Sequence, residues 1–506
     1  MSRFTTPVWF VLLAIFAFRA PLPQASGILD PDFYWHLEYG LQMLAALTLP
    51  TVDTWSWTMD GAPYRLTQWA GEVAIGLAHH LGGELGTGAL AAALATATIA
   101  LGYRSARIYL DAKWMALSLS ILCNALLLQL PSRPHQWTHL GLAALNLALL
   151  QFAHRGQRKW LCGLPILFAC WVNLHGGYAF GLAYFGLFAA TAALDAIRSE
   201  GRTALRKVAL PLGMAWLASL AATLLNPYGV GAWQYAVAIA QLQTSTAGVI
   251  AEWMPPTIQS ETGFQLFILT IAAFAAMATS KDRPTAGHLL RTIALVALGW
   301  TAVRISVMVL VLIVPFIAAS LASTPAYLKL AATSRHYDAP RSFPMAISIV
   351  CLAGALGFFL GKVDTTVAKR NQHYYPVAEA TFLKDKQLSS LRILNTPESG
   401  GYLIRVHQMK VAIDTRLDLY GDKAYFAYIF ANRGQTGWRD YLDSLKPDVL
   451  LLNQQSALRE LTVATGLYRP VFEGPAHTVL LKTGVRDDLA AIPLANVSAA
   501  ALNRMH

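Results

Sequence analysis

Residues 305–322 are ISVMVLVLIVPFIAASLA, a stretch without a charged side chain. A helix needs about 20 predominantly apolar residues to cross a hydrocarbon core of about 30 Å, so this stretch is long enough to span a membrane. The chain of 506 residues is 55% hydrophobic and only 13% charged, whereas about 25% of the residues in an average soluble domain are charged. This composition excludes an ordinary soluble globular protein.

Eleven apolar runs of this kind predict an α-helical polytopic membrane protein with about 11 transmembrane helices. They cover residues 7–22, 84–103, 114–130, 137–153, 159–173, 177–196, 207–225, 263–280, 288–303, 305–322 and 344–361. The run at 69–81 is shorter and more polar. We interpret it as a helix that lies along the membrane interface.

The density of charged residues rises near residue 362. Residues 1–362 contain 22 basic residues (Lys or Arg) and 14 acidic residues (Asp or Glu). The much shorter segment 363–506 contains 17 basic and 14 acidic residues. Short apolar runs at 393–394, 411–413, 449–452 and 478–481 alternate there with polar stretches that suit helices, which is typical of a small α/β domain. We therefore expect a multi-span membrane domain at 1–362 and an extracytoplasmic α/β domain at 363–506.

The positions of the basic residues predict the orientation, because Lys and Arg near the ends of spans stay on the cytoplasmic side. With the N-terminus inside, 17 Lys and Arg of the membrane domain fall in inner segments and 5 in outer segments. This distribution predicts a multi-pass protein of the plasma (inner) membrane with a cytoplasmic N-terminus. It also accounts for the net charge of +11 without nucleic acid as a partner.

The predicted first outer loop, residues 23–83, contains six Asp and Glu but a single Lys or Arg. Asp30-Pro31-Asp32 places two carboxylates shortly after the first span. Because a residue before proline avoids the helical region, we expect an extended stretch from which both carboxylates can converge on one cation or one substrate. Trp35 could stack on a sugar ring, and His36 titrates near neutral pH. The alternative is a solvated loop with interfacial aromatic residues.

Two further carboxylates lie beside tryptophans, Asp53 before Trp55 and Glu72 after Trp69. A carboxylate near an apolar interface loses hydration, which raises its pKa and suits it to act as a general base. Several neighbouring carboxylates could instead hold a divalent metal through their oxygens. The spacing does not choose between these two chemistries.

Two candidate binding residues lie at predicted outer ends of spans. His175 precedes the glycine pair at 176–177 and could donate a hydrogen bond to a phosphate or a sugar hydroxyl; an ordinary helical turn is the alternative. Arg304 lies between the ninth and tenth spans. An arginine at membrane depth points to a functional site, and its guanidinium suits phosphate. Snorkelling of its side chain to the surface is the alternative.

With these residues, the sequence resembles membrane glycosyltransferases of the GT-C superfamily, which includes protein O-mannosyltransferases and other enzymes that use polyprenyl-phosphate sugars. The resemblance rests on a multi-span body, an acidic first outer loop and an outer C-terminal domain. More narrowly, the sequence is similar to a bacterial subgroup of GT-C-like proteins. The motifs that carry this similarity are Asp30-Pro31-Asp32 with Trp35-His36-Leu37, Asp53, Gln68-Trp69-Ala70-Gly71-Glu72, Asn173-Leu174-His175-Gly176-Gly177, Asn226-Pro227-Tyr228-Gly229, Ser399-Gly400-Gly401-Tyr402 and Asp414-Thr415-Arg416-Leu417-Asp418-Leu419-Tyr420.

The resemblance implies transfer of a sugar from a polyprenyl-phosphate donor to a glycan, lipid or protein acceptor on the outer face of the membrane. It implies that an outer-loop aspartate is the general base, and Asp30 and Asp32 match that position, where the O-mannosyltransferases carry adjacent Asp-Glu. Some members need a divalent metal (Mg or Mn) and others do not; where a metal binds, Asp30 and Asp32 are the expected ligands. The expected substrate- and donor-binding residues are Trp35, His36, Asp53, Glu72, His175 and Arg304.

Three other functions fit a protein that handles lipid-linked sugars: a transporter or flippase, an oligosaccharide polymerase or ligase, and a non-catalytic assembly subunit. A transporter should contain paired repeats with interrupted helices near the membrane midplane, whereas the polar groups here gather on one side. Polymerases and ligases usually rely on outer arginines and histidines rather than on a carboxylate-rich first loop. We therefore expect an enzyme, with the lipid-linked donor, its acceptor and membrane lipids as partners.

Overall fold

A computed structural model of the chain describes residues 6–201, 203, 205–334 and 374–494. The chain divides into two compact units. The first consists of Met1–Ser26 with Thr67–Leu360, and the second of Gly27–Leu66 with Gly361–His506. The predicted domain boundary at residue 362 and the predicted span at 344–361 lie outside the described residues.

Helices dominate both units. In chain order the α-helices are α1 (Thr6–Arg19), α2 (Pro23–Ser26), α3 (Phe33–Ala46), α4 (Trp69–Ala106), α5 (Lys113–Cys123), α6 (Gln136–Arg155), α7 (Lys159–Cys162), α8 (Leu164–Leu174), α9 (Tyr178–Glu200), α10 (Leu210–Ala222), α11 (Gly231–Thr246), α12 (Glu261–Thr279), α13 (Ala286–Gly299), α14 (Val303–Leu321), α15 (Pro325–Ser334), α16 (Val377–Asp385), α17 (Pro397–His407), α18 (Leu417–Asn432), α19 (Trp438–Leu445) and α20 (Ala457–Ala464). Shorter 3₁₀ turns cover Ala125–Leu128 and Ala251–Trp253, and a π-helical turn covers Leu205–Ala209.

Five helices among the described residues are long and apolar enough to cross a membrane: Trp69–Ala106, Tyr178–Glu200, Leu205–Ala222, Glu261–Thr279 and Val303–Leu321. The predicted membrane character of the first unit is therefore confirmed. Val303–Leu321 is the most apolar of the five, and it contains most of the run at 305–322. Each of the other predicted spans up to residue 322 overlaps a helix, but several of these helices are shorter, so the number of eleven crossings stays a prediction.

The 38-residue helix α4 is interrupted at Gly82 and Gly83. Gly83 has φ 57° and ψ −140°, a backbone conformation that residues with a Cβ rarely adopt. The interruption separates the helical segment 69–81, which we predicted as a distinct helix, from the predicted span that follows it.

Helix α14 lies in the core of the first unit, where Val309 to Val314 are almost completely buried. Pro315 inside this helix has no backbone N–H, so one hydrogen bond of the helical ladder is absent. Near this position the side chain of Asn146 donates to the carbonyl oxygen of Leu312 at 3.1 Å, and the hydroxyl of Tyr184 donates to Asn146 at 2.7 Å. These polar groups therefore satisfy one another inside an apolar core.

The second unit contains a four-stranded sheet of β1 (Ile393–Asn395), β2 (Val449–Asn453), β3 (Tyr468–Glu473) and β4 (His477–Lys482), in the order β1-β2-β4-β3. Strand β1 is parallel to β2, and β4 pairs antiparallel with β2 and β3. The predicted α/β character is confirmed for these residues. The sequence did not indicate β3, because Arg469 and Pro470 interrupt its apolar pattern.

The prediction of a strand at 411–413 was wrong, because this segment pairs with the first outer loop instead of joining the sheet. The N–H of Val411 donates to the carbonyl of Trp55 at 3.0 Å, and the N–H of Trp57 donates to the carbonyl of Val411 at 3.0 Å. The indole N–H of Trp57 also donates to the carbonyl of Ile393 in β1 at 3.1 Å. These bonds make residues 55–57 part of the second unit.

Two neighbouring glycines let helix α17 pack closely on both sides. A Cβ at Gly400 would lie 2.5 Å from the Cβ of Asp414 and 2.6 Å from the carbonyl oxygen of Ile413. A Cβ at Gly401 would lie 3.0 Å from the carbonyl oxygen of Pro31. Helix α17 therefore contacts both the 414–420 segment and the turn that carries the acidic pair of the first loop.

We expect Gly400→Ala to destabilise the protein by about 1–3 kcal/mol, because the added methyl group overlaps backbone and Cβ atoms that cannot move independently. The apparent midpoint of thermal unfolding of the detergent-purified protein measures this effect. Gly213→Ala in α10 is the matched control, since nothing lies within 4 Å of a Cβ at that position. An unchanged midpoint for Gly400→Ala would show that α17 and the 414–420 segment are less closely packed than described.

Candidate active site

The acidic pair of the first loop lies in a turn immediately before α3. The N–H of Asp32 donates to Oδ1 of Asp30 at 2.9 Å, and the N–H of Phe33 donates to the carbonyl of Asp30 at 3.1 Å. The expectation of an extended stretch is therefore wrong, because the Asp30 side chain closes a local turn. Both aspartates are half-buried. They lie at the N-terminus of α3, where the helix dipole favours negative charge.

Other ionisable groups surround the two aspartates within the second unit. Burial raises the pKa of the Tyr374 hydroxyl, and the charges of Asp30, Glu398 and Asp32 raise it further. Burial likewise raises the pKa of Tyr425, with the charges of Glu398 and Asp32 contributing. The charges of Asp32 and Glu398 thus act on both phenols, and that of Asp30 acts on Tyr374.

Glu398 is a carboxylate that the sequence reasoning missed. It lies in the first turn of α17, two residues before Gly400. Glu398 is exposed to solvent, and the protein atoms around its carboxyl group reduce its hydration and raise its pKa. The sequence feature that could have indicated Glu398 is its position as an acidic residue at the start of α17, a helix that directly follows the short apolar strand β1.

Packed tyrosines lie next to the acidic turn. The ring centroids of Tyr34 and Tyr375 are 5.2 Å apart, those of Tyr34 and Tyr402 are 5.4 Å apart, and Tyr375 stacks on Tyr402 at 4.9 Å. Such contacts between aromatic rings contribute about 0.5–1.5 kcal/mol each beyond the area they bury. They fix the first turn of α3 against α17 and the residues before α16.

Trp35 and His36, predicted to bind substrate, face the interior of the second unit. They are 4% and 3% exposed. The indole N–H of Trp35 donates to Oγ1 of Thr415 at 3.0 Å. The ring centroids of Trp35 and His36 are 3.6 Å apart. Trp35 therefore connects α3 to the 414–420 segment, and His36 packs against Trp35.

A fully buried ion-pair network lies at the centre of the same unit. Nη1 of Arg416 is 2.8 Å from Oδ1 of Asp53, and Nη2 is 2.6 Å from Oδ2 of Asp414. Nη1 also donates to the hydroxyl of Tyr39 at 2.7 Å. All three charged side chains are completely shielded from solvent, so Asp53 is placed in the interior.

Aromatic rings surround this arginine. Its guanidinium carbon lies 4.9 Å from the ring centroid of Trp55, 5.4 Å from that of Tyr64 and 5.8 Å from that of Tyr39. Burial, the largest single influence, lowers the pKa of Arg416, but the charge and hydrogen bond of Asp414 together with the phenols of Tyr39 and Tyr420 outweigh it, and the pKa is raised well above its ordinary value. Arg416 is therefore held as a cation.

Hydrogen bonds complete the network around the two buried carboxylates. Asp53 accepts from the N–H of Ser56 at 3.0 Å and from its hydroxyl at 2.5 Å. The hydroxyl of Tyr420 donates to Asp414 at 3.1 Å. Each carboxylate is thus both charge-paired and hydrogen-bonded, which buried charges require.

In the first unit, Glu72 lies in the first turn of α4 and is completely buried. The side-chain amide of Gln68 donates to its Oε1 at 3.4 Å. The indole N–H of Trp69 donates to Oδ1 of Asn173 at 2.8 Å, and a Cβ at Gly71 would lie 2.5 Å from the carbonyl oxygen of Leu174. The motif at 68–72 thus packs against the end of α8.

His175 follows α8 directly and has a defined hydrogen-bonding pattern. Its Nδ1 lies 2.8 Å from the hydroxyl oxygen of Thr138. The same hydroxyl oxygen accepts a hydrogen bond from the indole N–H of Trp171 at 3.1 Å. The N–H of Gly177 donates to the same Nδ1 at 3.1 Å, so the neutral ring carries its proton on Nε2. Burial, followed by the charge of Arg304, lowers the pKa of His175 well below its ordinary value. The ring is therefore neutral at neutral pH.

Arg304 shares one carboxylate with a second arginine. Nη1 of Arg133 lies 2.9 Å from Oε1 of Glu252, and Nη1 of Arg304 lies 3.8 Å from Oε2 of the same residue. The charge of Arg133 lowers the pKa of Glu252 to about 2, so this carboxylate is ionised at neutral pH. Two guanidiniums for one carboxylate give the cluster a net positive charge.

Two more histidines belong to this cluster. The ring of His135 lies 5.6 Å from that of His139 and 6.5 Å from that of His175, measured between centroids. Burial, followed by the charge of Arg133, lowers the pKa of His135 well below its ordinary value. The sequence signal for this group is Arg133-Pro134-His135-Gln136, a short polar stretch between two predicted spans.

A metal site is not evident in the part of the chain that the structure describes. There, no group of three or more His, Cys, Asp and Glu side chains is arranged to hold a metal ion. The assignment of Mg or Mn to Asp30 and Asp32 therefore stays a prediction.

Solved structures of other proteins show which known fold this chain resembles. The fold is similar to a crystal structure of the Archaeoglobus fulgidus oligosaccharyltransferase that is tethered with an acceptor peptide containing the NVT sequon. The match covers 95% of this chain and 75% of the archaeal chain, with a TM-score of 0.51 and 13% sequence identity. A match to the apo form of the same enzyme covers 96% of this chain and 75% of the archaeal chain, with a TM-score of 0.47 and 12% sequence identity. The chain has a GT-C-type fold.

At 13% identity, the match to the tethered oligosaccharyltransferase shows the fold alone. No protein-family model matches the chain, and no curated protein matches it. The expected GT-C fold is confirmed, whereas likeness to the O-mannosyltransferases in particular stays a prediction.

We expect Arg416→Gln to destabilise the protein by about 3–5 kcal/mol, because it leaves the carboxylates of Asp53 and Asp414 buried without a cation. Lys410→Gln is the matched control: it removes a cation of the same unit that pairs with Asp60 at 2.8 Å, with both side chains half-exposed. An exposed pair of this kind contributes about 0–1 kcal/mol.

The apparent midpoint of thermal unfolding compares the two variants with the parent protein. Equal midpoints for Arg416→Gln and Lys410→Gln would contradict the central role of the buried network.

Proposed function

We propose that this protein is a glycosyltransferase that moves a sugar from a polyprenyl-phosphate donor to an acceptor on the outer face of the membrane. The observation that supports this most is the half-buried pair Asp30 and Asp32 at the N-terminus of α3, next to Glu398, in a chain with a GT-C-type fold. The similar archaeal protein acts as an oligosaccharyltransferase and was captured with an acceptor peptide. For this chain the acceptor class is a glycan, a lipid or a protein.

In the proposed reaction, Asp30 or Asp32 removes the proton from an acceptor hydroxyl. The hydroxyl oxygen then forms a bond to C1 of the donor sugar, while the bond from C1 to the phosphate oxygen breaks and the polyprenyl phosphate leaves with that electron pair. A positioned general base accelerates such a step by about 10²- to 10⁴-fold. Burial of Trp35, His36 and Asp53 supports a positioning role for these residues. Trp35 bonds α3 to Thr415, His36 packs against Trp35, and Asp53 pairs with Arg416.

The positive cluster of the first unit is suited to the donor phosphate. Arg304 is 24% exposed at its side chain and shares Glu252 with Arg133, so its guanidinium can bind a further anion. The neutral ring of His175 can donate from Nε2, because its Nδ1 accepts hydrogen bonds. Preorganised donors of this kind stabilise the negative charge that develops on a leaving phosphate. The motif at 68–72, which contains buried Glu72, packs through Trp69 and Gly71 against the helix end that precedes His175.

We propose the orientation that the basic residues favour, with the N-terminus in the cytoplasm and the second unit outside the plasma (inner) membrane. The distribution of 17 inner and 5 outer Lys and Arg supports it.

We expect Asp30→Asn or Asp32→Asn to lower turnover by about 10²- to 10⁴-fold, because an amide cannot accept the acceptor's proton. The measurement is release of polyprenyl phosphate from a panel of lipid-linked sugars by the purified protein in lipid nanodiscs. Parallel samples with EDTA test the dependence on a divalent metal. Asp60→Asn is the matched control, since this exposed carboxylate lies in the same loop and pairs with Lys410 at the surface.

Wild-type turnover in both single variants would overturn the assignment of the base. Absence of release by the parent protein with every donor and with glycan, lipid and peptide acceptors would favour transport or a subunit role instead. A flux assay with the same lipid-linked sugars in sealed vesicles distinguishes those two.

We expect Arg304→Gln to lower turnover by about 10²- to 10³-fold, as for removal of one preorganised donor to a developing anion. Arg304→Lys should recover part of this loss, because it restores the charge without the planar guanidinium. The same release assay measures both, with Arg65→Gln as an exposed outer control. An activity of Arg304→Gln equal to that of Arg65→Gln would remove Arg304 from the proposed site.

A further inference from the structure

A cavity of about 740 Å³ lies in the first unit, away from the cluster around Arg304. Its walls come from the C-terminal ends of α6, α9 and α14, the N-terminal end of α13, and the connection at 280–285. Arg304 is the second residue of α14, whereas Ser320, which lines the cavity, is near its end. At 1.5 Å per residue, about 24 Å of helix separates the two positions. The cavity is therefore distinct from the proposed donor site.

Basic side chains outnumber acidic side chains by one in the cavity wall. The charged residues that line it are Arg158, Lys207, Arg283 and Arg291, with Asp195, Glu200 and Asp282. Lys207 pairs with Glu200 at 3.4 Å. Asp195 accepts from the N–H of Gly287 and from the hydroxyl of Thr285, both at 2.7 Å. Beyond the Lys207–Glu200 pair, three guanidiniums and two carboxylates, Asp195 and Asp282, remain in the wall, which leaves it one positive charge in excess.

Arg291 is the buried cation of this wall. It is 9% exposed, and its guanidinium carbon lies 4.5 Å from the ring centroid of Phe188 and 5.6 Å from that of Phe316. Its Nε donates to the carbonyl of Gly287 at 3.1 Å. Nη2 lies 3.9 Å from Asp195, which is too far for a hydrogen bond. The two terminal nitrogens thus have no hydrogen-bond partner among the described residues and remain available to a ligand in the cavity.

The rest of the wall is apolar, with Phe152, Met277 and Ala319 among its residues. A cavity of several hundred cubic ångströms holds a ligand larger than a single inorganic ion. A guanidinium fork matches the oxygens of a phosphate in geometry and charge. The occupant that fits both parts of the wall carries a phosphate next to an apolar body.

We propose that this cavity binds a phosphate ester, and that its source is the headgroup of an anionic phospholipid of the inner leaflet. The assignment of the leaflet rests on the orientation proposed above, in which these helix ends face the cytoplasm. Basic pockets between membrane helices on that side are suited to anionic headgroups. Arg291 holds the phosphate, Arg158 and Arg283 add positive charge at the exposed side, and the apolar wall contacts the glycerol and the first methylenes of the chains.

The test is native mass spectrometry of the full-length protein in a neutral detergent, titrated with phosphatidylglycerol, phosphatidylcholine or glycerol 3-phosphate. We expect phosphatidylglycerol to bind at least 10-fold more tightly than phosphatidylcholine. Arg291→Gln and, separately, Arg283→Gln should each weaken its binding about 10-fold. Arg198→Gln, an exposed arginine at the same end of the first unit that does not line the cavity, should leave binding unchanged.

Arg283 is exposed, so its variant tests the proposal even if substitution of the buried Arg291 prevents folding. Equal binding of phosphatidylglycerol by Arg283→Gln, Arg198→Gln and the parent protein would overturn the site. Binding of glycerol 3-phosphate alone, with the same dependence on Arg283, would assign the cavity to a soluble phosphate ester and overturn the lipid source. Because the readout is binding, the result does not depend on whether the proposed transferase reaction occurs.

Discussion

The guanidinium of Arg416 is the interaction on which the second unit depends. It lies between the carboxylates of Asp53 and Asp414, and all three are completely buried. Charges without water are stable only when they are paired and hydrogen-bonded, and here Tyr39 completes the arginine's set of partners. Asp53 comes from the segment Gly27–Leu66, whereas Asp414 and Arg416 come from the C-terminal part of the chain. The network therefore ties two segments that are far apart in sequence into one compact unit.

That arrangement gives the acidic turn a fixed position. Helix α3 begins directly after Asp32, and Trp35 in its first turn is bonded to Thr415, next to the buried arginine. On the other side, Gly401 lets α17 approach the carbonyl of Pro31 closely, which also brings Glu398 towards the turn. A carboxylate that serves as a base must be held in place while its oxygens stay accessible. Asp30 and Asp32 are half-buried and lie in the turn that precedes α3, so they meet both conditions.

The first unit follows a different constraint, because a hydrocarbon environment admits few unpaired polar groups. Its most buried helix, α14, is apolar along its middle and carries polar groups towards its ends. Near its start, Arg304 shares Glu252 with Arg133, and near its end, Ser320 lines the basic cavity around Arg291. Cationic side chains therefore lie near both ends of this helix.

The sequence by itself determined the membrane character, the apolar helices and the small α/β region, because hydrophobic run length and local periodicity depend on neighbouring residues alone. It also indicated Asp30 and Asp32 as candidate groups, although it predicted an extended stretch where the Asp30 side chain closes a turn. The tertiary structure decided which residues meet. Asp53 carries the same acidic side chain as Asp32, yet it lies in the core because Arg416, more than 350 positions later, neutralises it. Glu398 had no long-range partner visible in the sequence, so its place near the acidic turn depended on the packing of α17. Burial and charge pairing between distant segments are properties of the folded chain, and no local pattern records them.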